Sequence, residues 1–302
     1  MKILLLGANG QVGFELQRSL SPLGEVSATT RSGKLPGNVD GLRADLADAG
    51  SLAQALQSER WDIVVNAAAY TAVDRAEDEP ALAQRINGEA LAQIGQWAAR
   101  NAALVVHYST DYVFDGQGAR PYREDDATTP LGVYGRSKLA GEEALRESGC
   151  AHLILRTAWV YGARGGNFAK TMLRLARERE ELKVVADQVG APTGADLLAD
   201  VTAHAVRSLL AGRGAPGIYH VAASGATSWH EYARFVVTHA QQAGHQLKAG
   251  PERVLPIPSS AFTTPARRPH NSRLATTRFQ TTFGLALPPW EQGVARMLQE
   301  IL

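Results

Sequence analysis

Short apolar runs recur along the first half of the chain, and each is followed by a small or polar turn and an amphipathic segment. The clearest runs span residues 2–6, 62–66, 103–108 and 152–157. Runs without polar interruption are typical of strands that are buried on both faces of a parallel sheet. The alternation of strands with helices therefore predicts an α/β fold with a doubly wound parallel sheet.

Two polar residues fall inside these predicted elements. Apolar residues recur at helical spacing over 80–100, and we predict that Asn87 on this helix makes a buried polar contact that supports a functional site. His107 lies within the run 103–108. We interpret it as a packed core histidine rather than as a catalytic base.

The charge of the chain is nearly balanced, since 31 basic and 30 acidic residues give a formal net charge of +1. This balance provides no overall field that would attract nucleic acid or an anionic membrane, so we expect neither as a partner. The single cysteine, Cys150, excludes an internal disulfide, and we find no targeting segment or long apolar stretch. We therefore predict a globular, cytoplasmic protein.

The sequence GANGQVG follows the first predicted strand directly and precedes an amphipathic helix. Gly7, Gly10 and Gly13 allow a tight turn, a close approach of a pyrophosphate to the backbone, and close packing of the helix on the strand. Because the flanking strand and helix supply the required context, we predict a Rossmann-type site for NADPH or NADH.

The end of the second predicted strand lacks the carboxylate that often holds the adenosine ribose of a dinucleotide. Thr29, Thr30 and Arg31 occupy this position instead. An arginine can pair with a 2′-phosphate, so we expect NADPH to be accepted at least as well as NADH, unless Arg31 points into solvent. Asp45 and Leu46 are predicted to border the adenine.

The regular alternation weakens after about residue 163. We divide the chain into a nucleotide-binding domain, 1–163, and a smaller C-terminal lobe that takes most of 164–302. A strand and a helix at about 183–212 are predicted to return to the first domain. Within the lobe, we expect an amphipathic helix over 167–179 and a closing helix over 290–302.

Side chains suited to carbonyl chemistry are predicted to lie beside the cofactor site. Ser109, Thr110 and Asp111 directly follow an apolar run, at the sheet edge where ligands bind in open α/β folds. Tyr134 and Lys138 lie one turn apart on the same face of a predicted helix. We therefore expect the chain to bring a cofactor and a carbonyl compound to this phenol and ammonium.

These motifs resemble known enzymes. GANGQVG, STDYVF and Tyr134-x-x-x-Lys138 are similar to the extended short-chain dehydrogenase/reductase superfamily. Five further strings, spread over nearly the whole chain, resemble the dTDP-4-dehydrorhamnose reductase family. They are NAAAYTAVD at 66–74, HYSTDYVF at 107–114, FAKTMLRLA at 168–176, DQVGAPTGADLLAD at 187–200 and ARRPHNSRL at 266–274.

The resemblance implies that Tyr134 is the catalytic acid, that Lys138 is its partner, and that Thr110 and Asp111 contact the sugar. We expect the Lys138 charge to lower the pKa of Tyr134. Arg267 and Arg268 are candidates for the substrate phosphates, or else an exposed basic pair. The remaining predicted substrate contacts are Trp159 and Asn167, and the cofactor contacts are Gly7, Gly10, Gln11, Val12, Gly13, Arg31, Asp45, Leu46, Ala69, Tyr70, Thr71, Tyr134 and Lys138.

The implied reaction is the reduction of the C4 keto group of dTDP-4-dehydro-L-rhamnose with NADPH or NADH. It is the last step of dTDP-L-rhamnose synthesis, which serves cell-surface polysaccharide such as lipopolysaccharide O-antigen. The family resemblance also implies a homodimer and a magnesium ion (Mg²⁺) near its interface, with Glu15, Asp196 and Glu300 at the matching positions.

Two other functions use the same scaffold. One is a sugar-nucleotide epimerase or dehydratase that recycles tightly bound NAD. Dehydratases commonly place a second acid here, whereas Asp111 is followed by Tyr112, which favours simple reduction. The other is a non-catalytic, NADP-binding regulatory subunit, and the presence of Thr110, Tyr134 and Lys138 argues against it.

Overall fold

The computed structural model describes residues 1–302 and contains a seven-stranded parallel sheet. Its strands in chain order are β1 Lys2–Leu6, β2 Glu25–Thr30, β3 Leu42–Arg43, β4 Ile63–Asn66, β5 Leu104–Thr110, β6 His152–Thr157 and β7 Gly217–His220. Across the sheet they lie in the order β7-β6-β5-β4-β1-β2-β3. The predicted doubly wound α/β architecture is confirmed.

The strand order reverses beside β1, because β2 and β3 lie on one side of it and β4 to β7 lie on the other. In such sheets, ligands bind in the crevice outside the carboxyl ends of the strands at this switch point. The turn after β1 and the residues that follow β4 and β5 therefore open onto the same edge.

The central strands are covered on both faces. Leu4 and Leu6 pack into a core layer that includes Trp61, whereas Ile3 and Leu5 pack into a second layer that includes Leu198. Residues 3–6 of β1 are fully buried, and only Lys2 at the start of the strand is partly exposed. This two-sided burial explains why residues 3–6 are uniformly apolar instead of alternating.

None of the helices combines the length and the hydropathy that crossing a bilayer requires.

The helical elements comprise short 3-10 turns and α-helices. The 3-10 turns occupy Pro36–Asn38, Asp111–Val113, Pro251–Arg253 and Ser259–Ala261. The α-helices are α1 Gln11–Leu20, α2 Ala49–Gln57, α3 Val73–Ala76, α4 Pro80–Gln84, α5 Ala90–Asn101, α6 Val133–Glu147, α7 Phe168–Glu178, α8 Ala195–Leu210, α9 Trp229–Gln242, α10 Thr277–Phe283 and α11 Trp290–Ile301.

The single helix predicted over 80–100 is divided by a π-helical turn at Arg85–Glu89, between α4 and α5. A π turn inserts extra backbone and is frequently found at functional sites. Asn87 lies within this turn and is fully buried. The periodicity of the flanking residues did not reveal it.

The C-terminal lobe has its own core, in which Leu173 of α7, Tyr232 of α9 and Trp290 of α11 meet. Ser228 and Glu231 form a reciprocal cap at the start of α9.

The remaining strands form two-residue or four-residue pairs. These are Lys34–Leu35 with Val39–Asp40, Val160–Tyr161 with Thr193–Gly194, Val189–Gly190 with Thr227–Ser228, and Leu182–Val185 with Val254–Ile257.

The structure corrects the predicted return of the chain at about 183–212. Helix α8 does pack against α1 beneath the large sheet, but Leu182–Val185 pairs with Val254–Ile257 in the lobe. The strand that joins the sheet is β7, which pairs only with β6 at the edge. Its sequence, GIYH, is too short and too polar to stand out as an apolar run.

Candidate active site

A cavity of about 740 Å³ opens at the carboxyl edge of the large sheet. It extends from the glycine turn after β1 to the start of α6 and to the loop after β6. Gly13 is the one predicted cofactor residue that does not line it. The predicted cofactor residues that do are Gly7, Gly10, Gln11, Val12, Arg31, Asp45, Leu46, Ala69, Tyr70, Thr71, Tyr134 and Lys138.

The glycine turn is shaped by close backbone approaches. Gly7 has a φ of +81°, and a Cβ atom there would lie 2.8 Å from the backbone nitrogen of Ala68. A Cβ atom on Gly13 would lie 2.1 Å from the carbonyl oxygen of Gly7, so Gly13 lets α1 pack against the turn. Because Gly10 caps α1 without a side-chain hydrogen bond, the first N–H groups of the helix remain available to a phosphate.

The end of β2 presents a cation to the cavity and no carboxylate. Thr29 and Thr30 are buried, and the Thr30 hydroxyl donates to the carbonyl of Lys34. Arg31 is exposed and lines the cavity. Asp45 also lines it, although its carboxylate accepts a hydrogen bond from the backbone of Ala47.

Two glycines bring α6, the helix that carries Tyr134 and Lys138, close to its neighbours. A Cβ atom on Gly135 would lie 2.2 Å from the carbonyl oxygen of Tyr112, and one on Gly141 would lie 2.1 Å from that of Asn87. Larger residues would push the helix outward. Local sequence therefore sets the depth at which the phenol and the amine sit in the cavity.

Tyr134 lines the cavity beside Thr110, and its ring makes an edge-on contact with Tyr112 at 5.4 Å between centroids. Burial of the phenol raises the pKa of Tyr134 to about 12, and a hydrogen bond with Thr110 opposes this shift. Our expectation that Lys138 lowers this pKa is wrong, because Lys138 is not among the groups that shift it. The amine is engaged elsewhere, so burial dominates.

Lys138 is 2% exposed, and its Nζ lies 2.6 Å from the carbonyl oxygen of Tyr108 and 3.0 Å from Nε2 of His107. Burial lowers the pKa of Lys138 to about 7, and the charge of Glu142 opposes the shift. The amine is thus held against β5. His107, interpreted from sequence as a core residue, is fully buried but contacts this amine directly.

A buried ion pair anchors the other end of α6. Glu142 accepts hydrogen bonds from Arg156 on β6, with Nη2 2.6 Å from Oε2, and it also accepts one from Ser109. The side chains of Glu142 and Arg156 are 1% and 3% exposed. Removing either partner would leave an uncompensated buried charge, so the pair fixes the helix relative to the strand ends.

Asn87 joins α6 to the segment that follows β4. Its Oδ1 accepts from the backbone N–H of Tyr70, and its Nδ2 donates to the carbonyl of Tyr70 and to the hydroxyl of Ser137. The predicted buried polar contact is therefore present. It holds a backbone stretch of the cofactor cavity against the helix that carries the candidate acid.

Asp111 directly follows β5 and is 3% exposed. Burial raises its pKa to about 6, and hydrogen bonds with Ser272 and Thr110 oppose this shift. Its Oδ2 has no hydrogen-bond partner within the chain. A buried oxygen of this kind is suited to a ligand hydroxyl. Ser272, which the sequence did not single out, reaches the site from the C-terminal lobe.

Trp159 lines the cavity and stacks on Trp229, with 3.5 Å between ring centroids. Its φ is +50°, a conformation that L-residues rarely adopt. A Cβ atom on Gly190 would lie 2.5 Å from the indole, so this glycine makes room for the ring. Trp229 carried no recognisable signal because its partner is distant in sequence.

Three predicted substrate contacts lie outside the cavity lining. Asn167 caps α7, and its Nδ2 donates to the carbonyl of Gly162 and to Gln11. Arg268 pairs with Asp74 at 2.7 Å, and Arg267 is exposed. Asn167 and Arg268, which we had predicted to contact the substrate, therefore make these contacts within the protein.

The structure does not support the predicted magnesium site. Glu15, Asp196 and Glu300 have arginine neighbours: Arg18 lies 3.8 Å from Glu15, and Arg296 lies 3.1 Å from Asp196 and 3.5 Å from Glu300. The structure contains no group of three acidic, histidine or cysteine side chains arranged to hold a metal ion. Burial raises the pKa of Glu15, and the charges of Asp196 and Glu300 act in the same direction, so the three carboxylates lie near one another beside Arg18 and Arg296. They are not arranged as a metal site, and the structure gives the Mg²⁺ prediction no support.

Comparison with known proteins agrees with this geometry. The family model described as "RmlD substrate binding domain" matches residues 1–302. The chain is 53% identical over 306 aligned positions to dTDP-4-dehydrorhamnose reductase of Escherichia coli K12, covering 100% of this chain and 98% of the relative. It is 52% identical over 301 positions to the Salmonella typhimurium reductase, with the same coverage.

A solved structure is similar along its whole length. The crystal structure of dTDP-4-dehydrorhamnose reductase from Bacillus anthracis in complex with NADP superposes with a TM-score of 0.86 at 33% identity and covers 99% of both chains. The family model and the relatives match the chain over its full length, and together they identify its family. The chain belongs to the dTDP-4-dehydrorhamnose reductase family.

Proposed function

We propose that this chain reduces the C4 keto group of dTDP-4-dehydro-L-rhamnose to give dTDP-L-rhamnose for cell-surface polysaccharide. One observation carries the proposal. Thr110, Tyr134 and Lys138 line the same cavity as the glycine turn after β1. A dinucleotide and a carbonyl compound can therefore bind next to each other. The full-length relatives are reductases whose name contains this keto sugar.

A nicotinamide cofactor, when bound, supplies a hydride to the carbonyl carbon, so negative charge develops on the carbonyl oxygen. Tyr134 donates its proton to this oxygen, and Thr110 holds the oxygen by a hydrogen bond. Lys138 in its ammonium form offsets the charge of the phenolate that remains. The buried Asp111 accepts a hydrogen bond from a sugar hydroxyl.

The residues present fit a dinucleotide. The space kept open by Gly7 and Gly13 and the free N–H groups at the start of α1 suit its pyrophosphate. Arg31 at the end of β2 suits a 2′-phosphate, so we propose NADPH as the preferred donor and NADH as a second one. The NADP complex of the Bacillus anthracis relative supports this choice.

The assay that tests the reaction mixes the protein with NADPH and the 4-keto sugar nucleotide and follows the absorbance of reduced nicotinamide. Oxidation of one NADPH per sugar supports the reductase. Conversion of the sugar without net oxidation would instead indicate an epimerase or dehydratase with recycled NAD. Neither change would indicate a non-catalytic regulatory subunit.

Cofactor preference is tested by Arg31→Ala. We expect the ratio of kcat/KM for NADPH over NADH to fall roughly three- to tenfold, because one exposed charge-assisted contact is lost. Lys34→Ala is the matched control, since Lys34 is a nearby cation outside the cavity lining and pairs with Asp40. An unchanged ratio in Arg31→Ala would exclude this residue from the phosphate site.

We further propose that residues 1–163 with α8 and β7 bind the cofactor, and that the rest of 164–302 mainly binds the sugar nucleotide. A cytoplasmic location and a homodimer complete the proposal and rest on the family resemblance. Light scattering on the purified protein tests the dimer: the mass of a single chain, 32.3 kDa, would contradict it.

A further inference from the structure

Three buried polar side chains form a hydrogen-bonded chain behind the proposed acid. Asn66 at the end of β4 and His107 on β5 are fully buried, and Lys138 is 2% exposed. Nδ1 of His107 lies 3.2 Å from Nδ2 of Asn66, and Nε2 of His107 lies 3.0 Å from Nζ of Lys138. Of these three side chains, only Lys138 takes part in the proposed reaction.

The orientation of the Asn66 amide is determined by its backbone neighbour. The N–H of Ala68 donates to Oδ1 of Asn66 at 3.1 Å. A backbone N–H can only donate, so the oxygen must face Ala68, and the NH₂ group of Asn66 must then face His107. Because that NH₂ group also only donates, Nδ1 of His107 must accept.

A neutral imidazole whose Nδ1 accepts a hydrogen bond carries its proton on Nε2. Burial keeps His107 neutral: it lowers the pKa of His107 well below its ordinary value, Lys138 acts in the same direction, and the backbone of Asn66 opposes both. The Nε2–H group therefore points at Nζ of Lys138. An ammonium nitrogen has no lone pair to accept this bond, whereas an amine does.

We propose that His107 is a positioning residue, which uses the Nε2–H tautomer set by Asn66 to favour the neutral amine form of Lys138 over its ammonium form. The amine retains two N–H bonds, one of which donates to the carbonyl of Tyr108 at 2.6 Å. Burial of the amine also lowers the pKa of Lys138, so it favours the neutral form as well.

The other charged groups around Lys138 do not take over the effect that we propose for His107. Glu142 on the same helix favours the ammonium, but its carboxylate is already paired with Arg156 of β6. The other titratable side chains that β5, the turn after it and α6 contribute to the cavity are Tyr108, Asp111, Tyr112 and Tyr134. Under the proposed function, the consequence is that His107 sets the pH above which Lys138 loses the charge that balances the phenolate.

Nitrogen NMR of the wild-type protein with ¹⁵N-labelled histidine tests the tautomer directly. The His107 signals are identified as those missing from His107→Gln. We expect Nε2 to be protonated and Nδ1 to be bare, with no titration between about pH 5 and 9. A proton on Nδ1, or an imidazolium in that range, would overturn the proposal, and this result does not depend on any enzymatic activity.

The pH profile of NADPH oxidation tests the effect on the lysine. His107→Leu removes the donor, so the basic limb of kcat/KM should move upward by on the order of one pH unit, a tenfold change in proton affinity. A downward shift would mean that His107 accepts from an ammonium, and an unchanged limb would mean that it has no influence; either contradicts the proposal.

His152→Leu is the matched control, because His152 is a half-buried histidine on the neighbouring strand whose Nδ1 contacts the carbonyl of Cys150. Its basic limb should coincide with that of the wild type. If the wild type oxidises no NADPH, the proposed reaction fails while the NMR result still decides the tautomer. If His107→Leu does not fold, the same NMR measurement decides.

Discussion

The two ends of the cavity are built by different means. At the cofactor end, backbone approaches and missing side chains create the site: Gly7 and Gly13 leave space that any Cβ would fill. At the catalytic end, buried polar side chains from several elements hold one another in place, as in the contacts of Lys138 with His107 and of Glu142 with Arg156.

This contrast has a physical cause. A pyrophosphate is recognised by N–H groups that every residue carries, so the protein needs only to clear space around them. Proton transfer needs particular side chains at particular protonation states, and burial shifts their pKa values unless partners compensate. The cofactor end should therefore be sensitive to added volume, and the catalytic end to lost polar groups.

Tyr134→Phe should cause the largest change. It keeps the ring that packs on Tyr112 but removes the proton that meets the developing alkoxide, so we expect kcat to fall roughly 100- to 10,000-fold. Cofactor binding, measured by fluorescence titration, should remain near the wild-type value. Near-normal turnover of the keto sugar would refute the assignment of the acid.

Glu142→Ala should strongly destabilise the fold, by about 3–5 kcal/mol, because Arg156 would be left buried without a counter-charge. Urea denaturation measures the free energy of unfolding. Glu178→Ala breaks the exposed Arg174–Glu178 pair on α7 and is the control, for which we expect a change too small to resolve. Equal losses in the two variants would contradict the buried character of the first pair.

Gly13→Ala tests the cofactor end. The added methyl group would meet the carbonyl oxygen of Gly7, so we expect a loss of stability of about 1–3 kcal/mol and weaker NADPH binding. Gly166→Ala is the control, since a Cβ atom there meets nothing within 4 Å. Unchanged cofactor affinity in Gly13→Ala would show that the turn can widen without consequence.

The pH dependence of reduction tests the charge of Lys138 without any substitution and should show no change on the acidic side of about pH 7. The pKa of Tyr134, raised to about 12, leaves its proton in place at neutral pH, whereas the pKa of Lys138, lowered to about 7, removes its charge as the pH rises. We therefore expect kcat/KM to be highest below about pH 7 and to fall about tenfold per pH unit above it. A profile that stays flat to about pH 9 would contradict this.

Much of the cofactor end could be predicted because its signals are local. A glycine turn between a strand and a helix is contained in a dozen consecutive residues, and strand ends in a parallel sheet must share one edge. The edge strand β7 was missed because a short strand at the rim needs no apolar run. The π turn at Asn87 was missed because apolar periodicity does not register one inserted residue.

The catalytic end shows the limit of sequence reasoning more sharply. Ser272 and Trp229 reach the site from the lobe, and no spacing along the chain could pair them with Asp111 and Trp159. Asn167 and Arg268 were assigned to substrate, yet the structure engages one as a helix cap and the other in an ion pair.

The sequence alone determined the layered α/β architecture and the position of the glycine turn, and it selected Thr110, Tyr134 and Lys138 as candidates, because periodicity and short motifs are properties of neighbouring residues. Only the tertiary structure decided the protonation of the pair. Burial raises the pKa of Tyr134 and lowers that of Lys138, and both shifts depend on which groups the fold packs around each side chain.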